Sequence, residues 1–395
     1  DLFFSGRVVP WNYPKPVSSF IFRNDSKPGH ISFTDVTDAV ARDLNNIGLV
    51  CDAVFTDFDN DGWPELILAG EWMPITFLKN EKGVFKNVTA GSGISNQTGW
   101  WNTIAPGDFD NDGDMDYIVG NMGQNSFYRS SEKYPVYITA ADFDKNGSYD
   151  AFPSLFLPDR KGDKKEFPAQ TRDDIVKQMI SMRSRFQNYK GYAEATMDQV
   201  LLPEQQKTAQ RLAANNFQSV YLRNDGKGKF SLLPLPQQSQ FSILNGMAVA
   251  DYDGDGNLDI AINGNDYGTE VSVGRYDALN GLVLKGDGKG NFQSLSILQS
   301  GIFLPGNGKA LVQLRGKNGS SMLAASQNRG TVKVFQLKQS LRTVTVLPAD
   351  ISATIFLADG RKRKQELYFG ASFLSQSGRF IPVGKNVNGL EIKDT

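Results

Sequence analysis

Short apolar runs recur along the chain, each entered from an acidic, glycine-containing turn and left through a second glycine-rich turn. Leu66-Ile67-Leu68-Ala69-Gly70, Tyr117-Ile118-Val119-Gly120 and Ile260-Ala261-Ile262-Asn263-Gly264 are the clearest of these runs. They are too short for helices and rich in β-branched residues, which predicts strands. Shorter runs precede the acidic turns, as in Ala53-Val54-Phe55 and Met247-Ala248-Val249-Ala250. Further hairpins follow, with Asn224-Asp225-Gly226 and Asp287-Gly288 as their turns. Asp-Gly between apolar runs is a strong hairpin signal. Each unit therefore reads as four short strands.

The acidic turns are copies of one pattern. They are Asp57-Phe58-Asp59-Asn60-Asp61-Gly62-Trp63-Pro64-Glu65, Asp108-Phe109-Asp110-Asn111-Asp112-Gly113-Asp114-Met115-Asp116, Asp142-Phe143-Asp144-Lys145-Asn146-Gly147-Ser148-Tyr149-Asp150 and Asp251-Tyr252-Asp253-Gly254-Asp255-Gly256-Asn257-Leu258-Asp259. Asp57 and Asp108 are 51 residues apart, and four strands in that length is the size of a propeller blade. The 34 residues from Asp108 to Asp142 imply a blade whose outer hairpin is trimmed. Asp1 with Leu2-Phe3-Phe4-Ser5-Gly6 reads as the tail of another acidic turn and its strand, so the chain is expected to continue upstream. Residues 311–328 keep the strands without the acids. The expected fold is all-β: a β-propeller of about six to seven four-stranded blades over residues 1–340, its closure left open.

The 109 residues between Asp142 and Asp251 hold an insertion, expected to be helical over about 155–216. Thr171 precedes Asp173 and Asp174 as a helix start, and Ile175, Met179, Met182 and Phe186 follow at helical spacing. A second helix is expected from Pro203 to about Ala214. From residue 341 the acidic turns stop, and strands at 341–346, 353–357 and 365–369 imply a small all-β segment over 341–395. Its run Arg361-Lys362-Arg363-Lys364 reads as a solvated hairpin tip.

Acids at turn positions 1, 3, 5 and 9, with Gly at 6, suit calcium, which takes six to eight hard oxygens at about 2.3–2.6 Å. Glycine supplies the sharp turn, and position 7 contributes its carbonyl. The candidate ligands are Asp57, Asp59, Asp61, Trp63 and Glu65; Asp108, Asp110, Asp112, Asp114 and Asp116; Asp142, Asp144, Asn146, Ser148 and Asp150; and Asp251, Asp253, Asp255, Asn257 and Asp259. One Ca2+ per turn gives about four ions. An EF-hand does not fit, because the flanks are strands and position 12 carries Leu68, Val119, Pro153 and Ile262 rather than Glu.

Composition narrows the function. The net charge of −1 gives no electrostatic footprint for nucleic acid. No apolar run approaches the ~18 residues that span a bilayer. One cysteine, Cys51, and one histidine, His30, leave no disulfide within the chain and no Cys/His zinc site. The loop carrying Asp266, Tyr267, Glu270, Arg275 and Tyr276 mixes acids, rings and a guanidinium, which suits a sugar ligand; an ordered turn with Arg275 paired to Asp266 or Asp277 is the plainer reading. Trp72, Trp100 and Trp101 read as packing residues.

At these turns the chain resembles the FG-GAP/VCBS-repeat family of integrin-like propellers. Gly70-Glu71-Trp72-Met73-Pro74, Gly99-Trp100-Trp101-Asn102, Gly264-Asn265-Asp266-Tyr267 and Gly370-Ala371-Ser372-Phe373-Leu374-Ser375-Gln376-Ser377 are similar to the C-terminal part of ASPIC/UnbV-type surface proteins of Bacteroidetes. The resemblance implies an extracellular or cell-surface location, associated with the outer membrane of a Gram-negative bacterium, in a longer polypeptide. It also implies a binding or scaffold module for a glycan, peptide or protein partner. Two readings stand beside it. One is a polysaccharide hydrolase or lyase using a carboxylate pair drawn from Asp266, Glu270 and Asp277. The other is a purely structural part of a larger assembly.

Overall fold

The computed structural model describes residues 1–394 except 318, 339, 340 and 371. Ala371, quoted above in the Gly370–Ser377 stretch, lies outside the described residues. The chain is mostly β, in small antiparallel sheets.

Three four-strand meanders carry acidic turns in the same place. Strands Leu49–Thr56, Glu65–Pro74, Thr76–Glu81 and Val84–Asn87 form the first, with Thr98–Trp100 added along the end of Glu65–Pro74. Strands Thr103–Gly107, Asp116–Gly120, Val220–Asn224 and Phe230–Pro234 form the second. Strands Leu244–Ala250, Asp259–Gly264, Leu282–Gly286 and Phe292–Leu295 form the third. In each, the acidic turn joins the first strand to the second. A three-stranded sheet of Leu2–Phe4, Phe20–Asn24 and Phe33–Asp35 precedes them. An acid-free sheet of Gly308–Arg315, Ser321–Gln327 and Lys333–Gln336 follows them.

These five sheets stack in chain order, and the stacking explains the continuous apolar second strands. Leu66 and Leu68 pack with Ile21 of the preceding sheet, whereas Ile67 and Ala69 pack with Tyr117 and Val119 of the next. Ile118 turns the other way, toward Ile260 and Ile262. Ala261 faces Leu311 and Leu323. Successive strand residues point to opposite faces, so a sheet buried on both sides needs apolar residues at every position. The first strands lie side by side: Leu49–Thr56 beside Thr103–Gly107, that strand beside Leu244–Ala250, and Leu244–Ala250 beside Gly308–Arg315.

The insertion enters at a different point from the one expected. The second meander is not trimmed: its outer hairpin, Val220–Asn224 with Phe230–Pro234, arrives a hundred residues late, after the chain has built another unit between its second and third strands. That unit carries the 142–150 turn in a sheet ordered Lys164–Pro168, Asp150–Pro158, Val136–Ala141, Gln210–Ala214. Its short helices run from Arg172 to Thr208 and close over Phe152, with Ile175, Met179, Met182, Met197 and Val200 as their core. The Thr171 side chain accepts from Asp174 N, capping the first of them, Arg172–Gln178. The helix expected from Pro203 to about 214 stops at Thr208, because Gln210–Ala214 pairs with Val136–Ala141.

Residues 342–394 carry two further sheets: Arg342–Thr345 with Phe380–Val383, and Lys362–Glu366, Asp350–Leu357 and Val387–Asp394. The third expected strand is shifted toward the N-terminus, to Lys362–Glu366, which takes in the basic run. The connecting segment lies along the first strands of the stack: Ser372 Oγ bonds the backbone of Met247, and Ser377 Oγ accepts from Gln313 N.

Each acidic-turn meander carries a glycine in its second strand where a Cβ would collide: Gly70 inside its strand, Gly120 at its strand's end against the Thr103 side chain, and Gly264 at its strand's end. A Cβ at Gly70 would stand 2.4 Å from Leu49 O, and one at Gly264 would stand 2.1 Å from Ile243 O. Overpacking of this kind costs about 1–3 kcal/mol. Gly264→Ala is therefore expected to lower the urea midpoint by that free energy with an unchanged slope; wild-type stability would show that the strand ends can separate.

Candidate metal centres

All four acidic turns fold through the same three hydrogen bonds. Position 1 accepts from the glycine at position 6: Gly62 N to Asp57 Oδ2 at 3.2 Å, Gly113 N to Asp108 Oδ2 at 3.2 Å, Gly147 N to Asp142 Oδ2 at 2.9 Å and Gly256 N to Asp251 Oδ2 at 2.9 Å. Position 9 accepts from the N–H of the aromatic at position 2, as in Phe58 N to Glu65 Oε2 at 3.1 Å and Tyr252 N to Asp259 Oδ2 at 3.1 Å; Asp116 and Asp150 do the same for Phe109 and Phe143. Position 5 accepts from position 7 in each. These bonds draw the carboxylates into one concavity. Oxygens of Asp57, Asp59 and Asp61 lie within 4.8 Å of one another, as do those of Asp108, Asp110 and Asp116, of Asp142, Asp144 and Asp150, and of Asp251, Asp253 and Asp255.

The glycine at position 6 has φ between 86° and 96° in all four turns. Position 4 is also left-handed, at Asn60, Asn111, Lys145 and Gly254. That requirement escaped the sequence reading; two asparagines and a glycine at the position were its signal.

Position 9 anchors the turn to the rest of its sheet. Asp116 Oδ1 accepts from Asn224 N at 2.8 Å and Asp259 Oδ1 from Gly286 N at 3.0 Å, both on the third strand. Asp1 Oδ1 makes the equivalent bond to Asn24 N at 2.9 Å. At position 7 the side chains of Asp114 and Asn257 are engaged elsewhere, by Asn60 Nδ2 and Arg361 Nη2, and Trp63 is exposed.

The residues fit a hard divalent cation. Asp57 Oδ1, Asp59 Oδ1, Glu65 Oε1 and Asp110 Oδ1 are buried without a hydrogen-bond partner, and Glu65 is fully buried. Such oxygens are costly unless a cation or a proton meets them. The most buried of the carboxyl groups accordingly hold protons tightly. Burial, then the charges of Asp59 and Asp61, push Glu65 up to about 8. Burial chiefly raises Asp116 to about 8, and Asp108 and Asp259 to about 7.

Basic side chains meet three of the turns. The residue after the third-strand leucine is Lys79, Arg223 or Lys285 in the three meanders. Lys79 bonds Asp59 and stands 3.6 Å from Asp61, and Lys285 bonds Asp253 and stands 3.1 Å from Asp255. Arg223 pairs with Asp225; burial, then Asp112, raise Asp110 to about 6, and Arg223 opposes that rise only in part.

The run Arg361–Lys364 is not a solvated tip. Arg363 is 1% exposed; its Nη1 donates to Gly256 O at 2.5 Å and its charge faces Asp251, Asp108, Asp259 and Asp255. Lys364 N donates to Asp108 Oδ2 at 2.8 Å, while its Nζ donates to Asp57 O and Asn60 Oδ1. The distance in sequence, about 250 residues from Asp108, hid this contact.

The loop of Asp266, Tyr267, Glu270, Arg275 and Tyr276 is tied by paired backbone bonds between Asp266 and Tyr276, both 2.9 Å. Arg275 stacks over the Tyr267 ring at 4.8 Å, in place of the expected pairing with Asp266 or Asp277. Burial, then the neighbouring carboxyl of Asp174 in helix Arg172–Gln178, raises the proton affinity of Glu270. Arg275, Tyr276 and Asp277 border a cavity of about 270 Å3 with Asn125, Ser126 and Phe127. Trp101 is fully buried and Trp72 nearly so, stacked edge-on with Trp100, as packing residues.

A family model, the FG-GAP-like repeat, matches residues 57–119, from the first acidic turn to the end of the second strand of the next meander. No curated protein matches the chain. Among the described residues no helix is long and apolar enough to cross a membrane.

The raised carboxyls set the pH dependence of the metal-free chain. Their folded pKa values lie above the unfolded ones near 4, so the folded state binds more protons between about pH 4 and 8, and stability falls as pH rises through that window. In metal-free buffer the melting temperature is expected to be lower at pH 8 than at pH 5. A melting temperature that climbs over this range would show that the protein's own cations neutralise the turns.

Proposed function

We propose that the chain is a calcium-pinned, integrin-like propeller module that binds a glycan, peptide or protein partner outside the cell or at its surface. The observation that carries the calcium assignment is the set of buried, unpartnered carboxylate oxygens in turns 57–65 and 108–116. Stacked four-strand meanders whose first strands lie side by side support the propeller over residues 1–340. The FG-GAP-like match supports a binding or scaffold role and an extracellular setting. Residues 341–395 are assigned as the ASPIC/UnbV-like segment, and an outer-membrane location follows from that resemblance.

In each turn the carboxylates at positions 1, 3 and 5 (Asn146 in the third), the carbonyl at position 7 and the acid at position 9 would hold the ion. A bound calcium supplies positive charge where three to five acids crowd together. The turn's own hydrogen bonds and the N–H of the aromatic at position 2, joined at Asp116 and Asp259 by a third-strand N–H, keep those oxygens convergent. The role is structural, since the acid at position 9 opens the second strand of its sheet. Tyr267 and Arg275, beside the cavity at Tyr276, are the proposed contacts for the partner.

Unfolding in calcium, in magnesium and in EGTA tests the metal assignment, with bound metal counted by mass spectrometry. Calcium well above its dissociation constant is expected to raise the melting temperature by on the order of 5 °C, with about four ions per chain. No bound metal would overturn it. For the partner site, Tyr267→Ala and Arg275→Ala are expected to weaken binding to a ligand found on a glycan or peptide array by about tenfold each, with the melting temperature unchanged. Undiminished binding would move the site elsewhere.

A further inference from the structure

Three of the four acidic turns share a roof that the fourth lacks. Strand Lys362–Glu366 crosses turns 57–65, 108–116 and 251–259 together. Glu366 Oε1 accepts from Asp57 N at 3.0 Å, Lys364 N donates to Asp108 Oδ2, and Arg363 donates to Gly256 O. Around it, Arg361 Nη1 reaches Gly288 O at 3.1 Å, and Asn386 Nδ2 donates to Asp255 O at 3.0 Å. Leu357 and Asn386 stand over Gly256, and Gly384 lies against Gly254. The Arg363 guanidinium, buried with Nε lacking a partner, is held there by its Nη1 bond to Gly256 O, with the carboxylates of the turns facing its charge. Asp108 and Asp251 are buried beneath this roof.

Turn 142–150 sits in the inserted unit. Its hydrogen bonds are internal, apart from Tyr149 to Gln210. Positions 142, 144 and 146 are exposed, and Asp144 and Asn146 open on a cavity of about 690 Å3 lined by Arg172, Lys177 and Arg183. Among the described residues, neither Lys79, Lys285 nor Arg363 has a counterpart bonded to its acids.

We propose that the C-terminal unit is a seal that divides the cation sites into two exchange classes. The ions of turns 57–65, 108–116 and 251–259 leave only when strand Lys362–Glu366 lifts, whereas the ion of turn 142–150 exchanges directly with solvent. The proposal rests on the calcium reading above. It follows from access: although Asp61, Asp112 and Asp253 reach the surface, Asp108 and Asp251 are buried against the strand through Arg363, and an ion held by such position-1 acids must wait for a local opening, which is far rarer than the motion of an exposed turn. Removing the guanidinium that pins the strand makes that opening more frequent.

The test uses the full chain, loaded with calcium, counted for metal, and mixed in a stopped-flow instrument with excess of a fluorescent chelator. Release of about one ion in a fast phase and about three in a phase at least tenfold slower is expected. Asp142→Asn with Asp144→Asn is expected to abolish the fast phase alone. Arg363→Met is expected to accelerate the slow phase at least tenfold. Arg361→Ala, at a half-exposed residue, is expected to do so by a smaller factor and serves if Arg363→Met does not fold. Four ions counted and released in a single phase would overturn the seal and leave the calcium reading standing. A slow phase indifferent to both arginine variants would overturn it too. A chain with no metal counted before mixing would overturn both.

Discussion

Four carboxylates cannot share a nine-residue turn without something to oppose their charge. Two unit charges 4 Å apart repel by about 4 kcal/mol near a protein surface, and burial of Asp108, Asp116 and Glu65 sharpens the penalty. The chain meets this constraint in several ways at once. Backbone N–H groups converge on positions 1 and 9, lysines from the third strand reach positions 3 and 5, and an arginine arrives from the far end of the sequence. Oxygens such as Glu65 Oε1 remain unmet by any of these, and they define where a cation belongs.

The placement of the turns follows from the stacking of the sheets. Each turn joins the first strand of a meander to its second, and the meanders stack in chain order. The 57–65, 108–116 and 251–259 turns therefore emerge on one side of the stack, close enough for a five-residue strand to touch all three. Asn111 shows how close: its Nδ2 bonds Asn257 Oδ1 and Gly288 O, both in the next sheet.

What could be seen in the sequence was what nearby residues decide. The acids, the glycine at position 6 and the apolar second strands are local, so Asp57 to Glu65 and its copies could be aligned by eye, and the turn geometry followed. The left-handed position 4 was visible only as two asparagines and a glycine. Contacts made by distant segments left no such mark. The third strand of the second meander could not be assigned while Val220–Asn224 stood a hundred residues from Asp116–Gly120. Arg361–Lys364 carries the composition of an exposed turn, and only the fold supplies the acids that bury it. Gln210–Ala214 shows the same limit, since a helix-compatible sequence became a strand because Val136–Ala141 had a free edge.

The inserted unit leaves and rejoins the second meander at neighbouring points, for Val119 and Val220 face each other across one antiparallel pair. Its helices bury a core of their own. Closing a loop of that length adds little to the entropic cost of pairing, about 0.6 kcal/mol for each doubling. Pairing of the host sheet's second and third strands thus asks only that the ends meet, while the inserted sheet also packs on the stack, with Ile138, Leu155 and Ala214 against Leu49 and Trp72. This is the topology of a graft: the unit with the 142–150 turn enters and leaves through one antiparallel pair, and the stack that carries the other turns keeps its register across it.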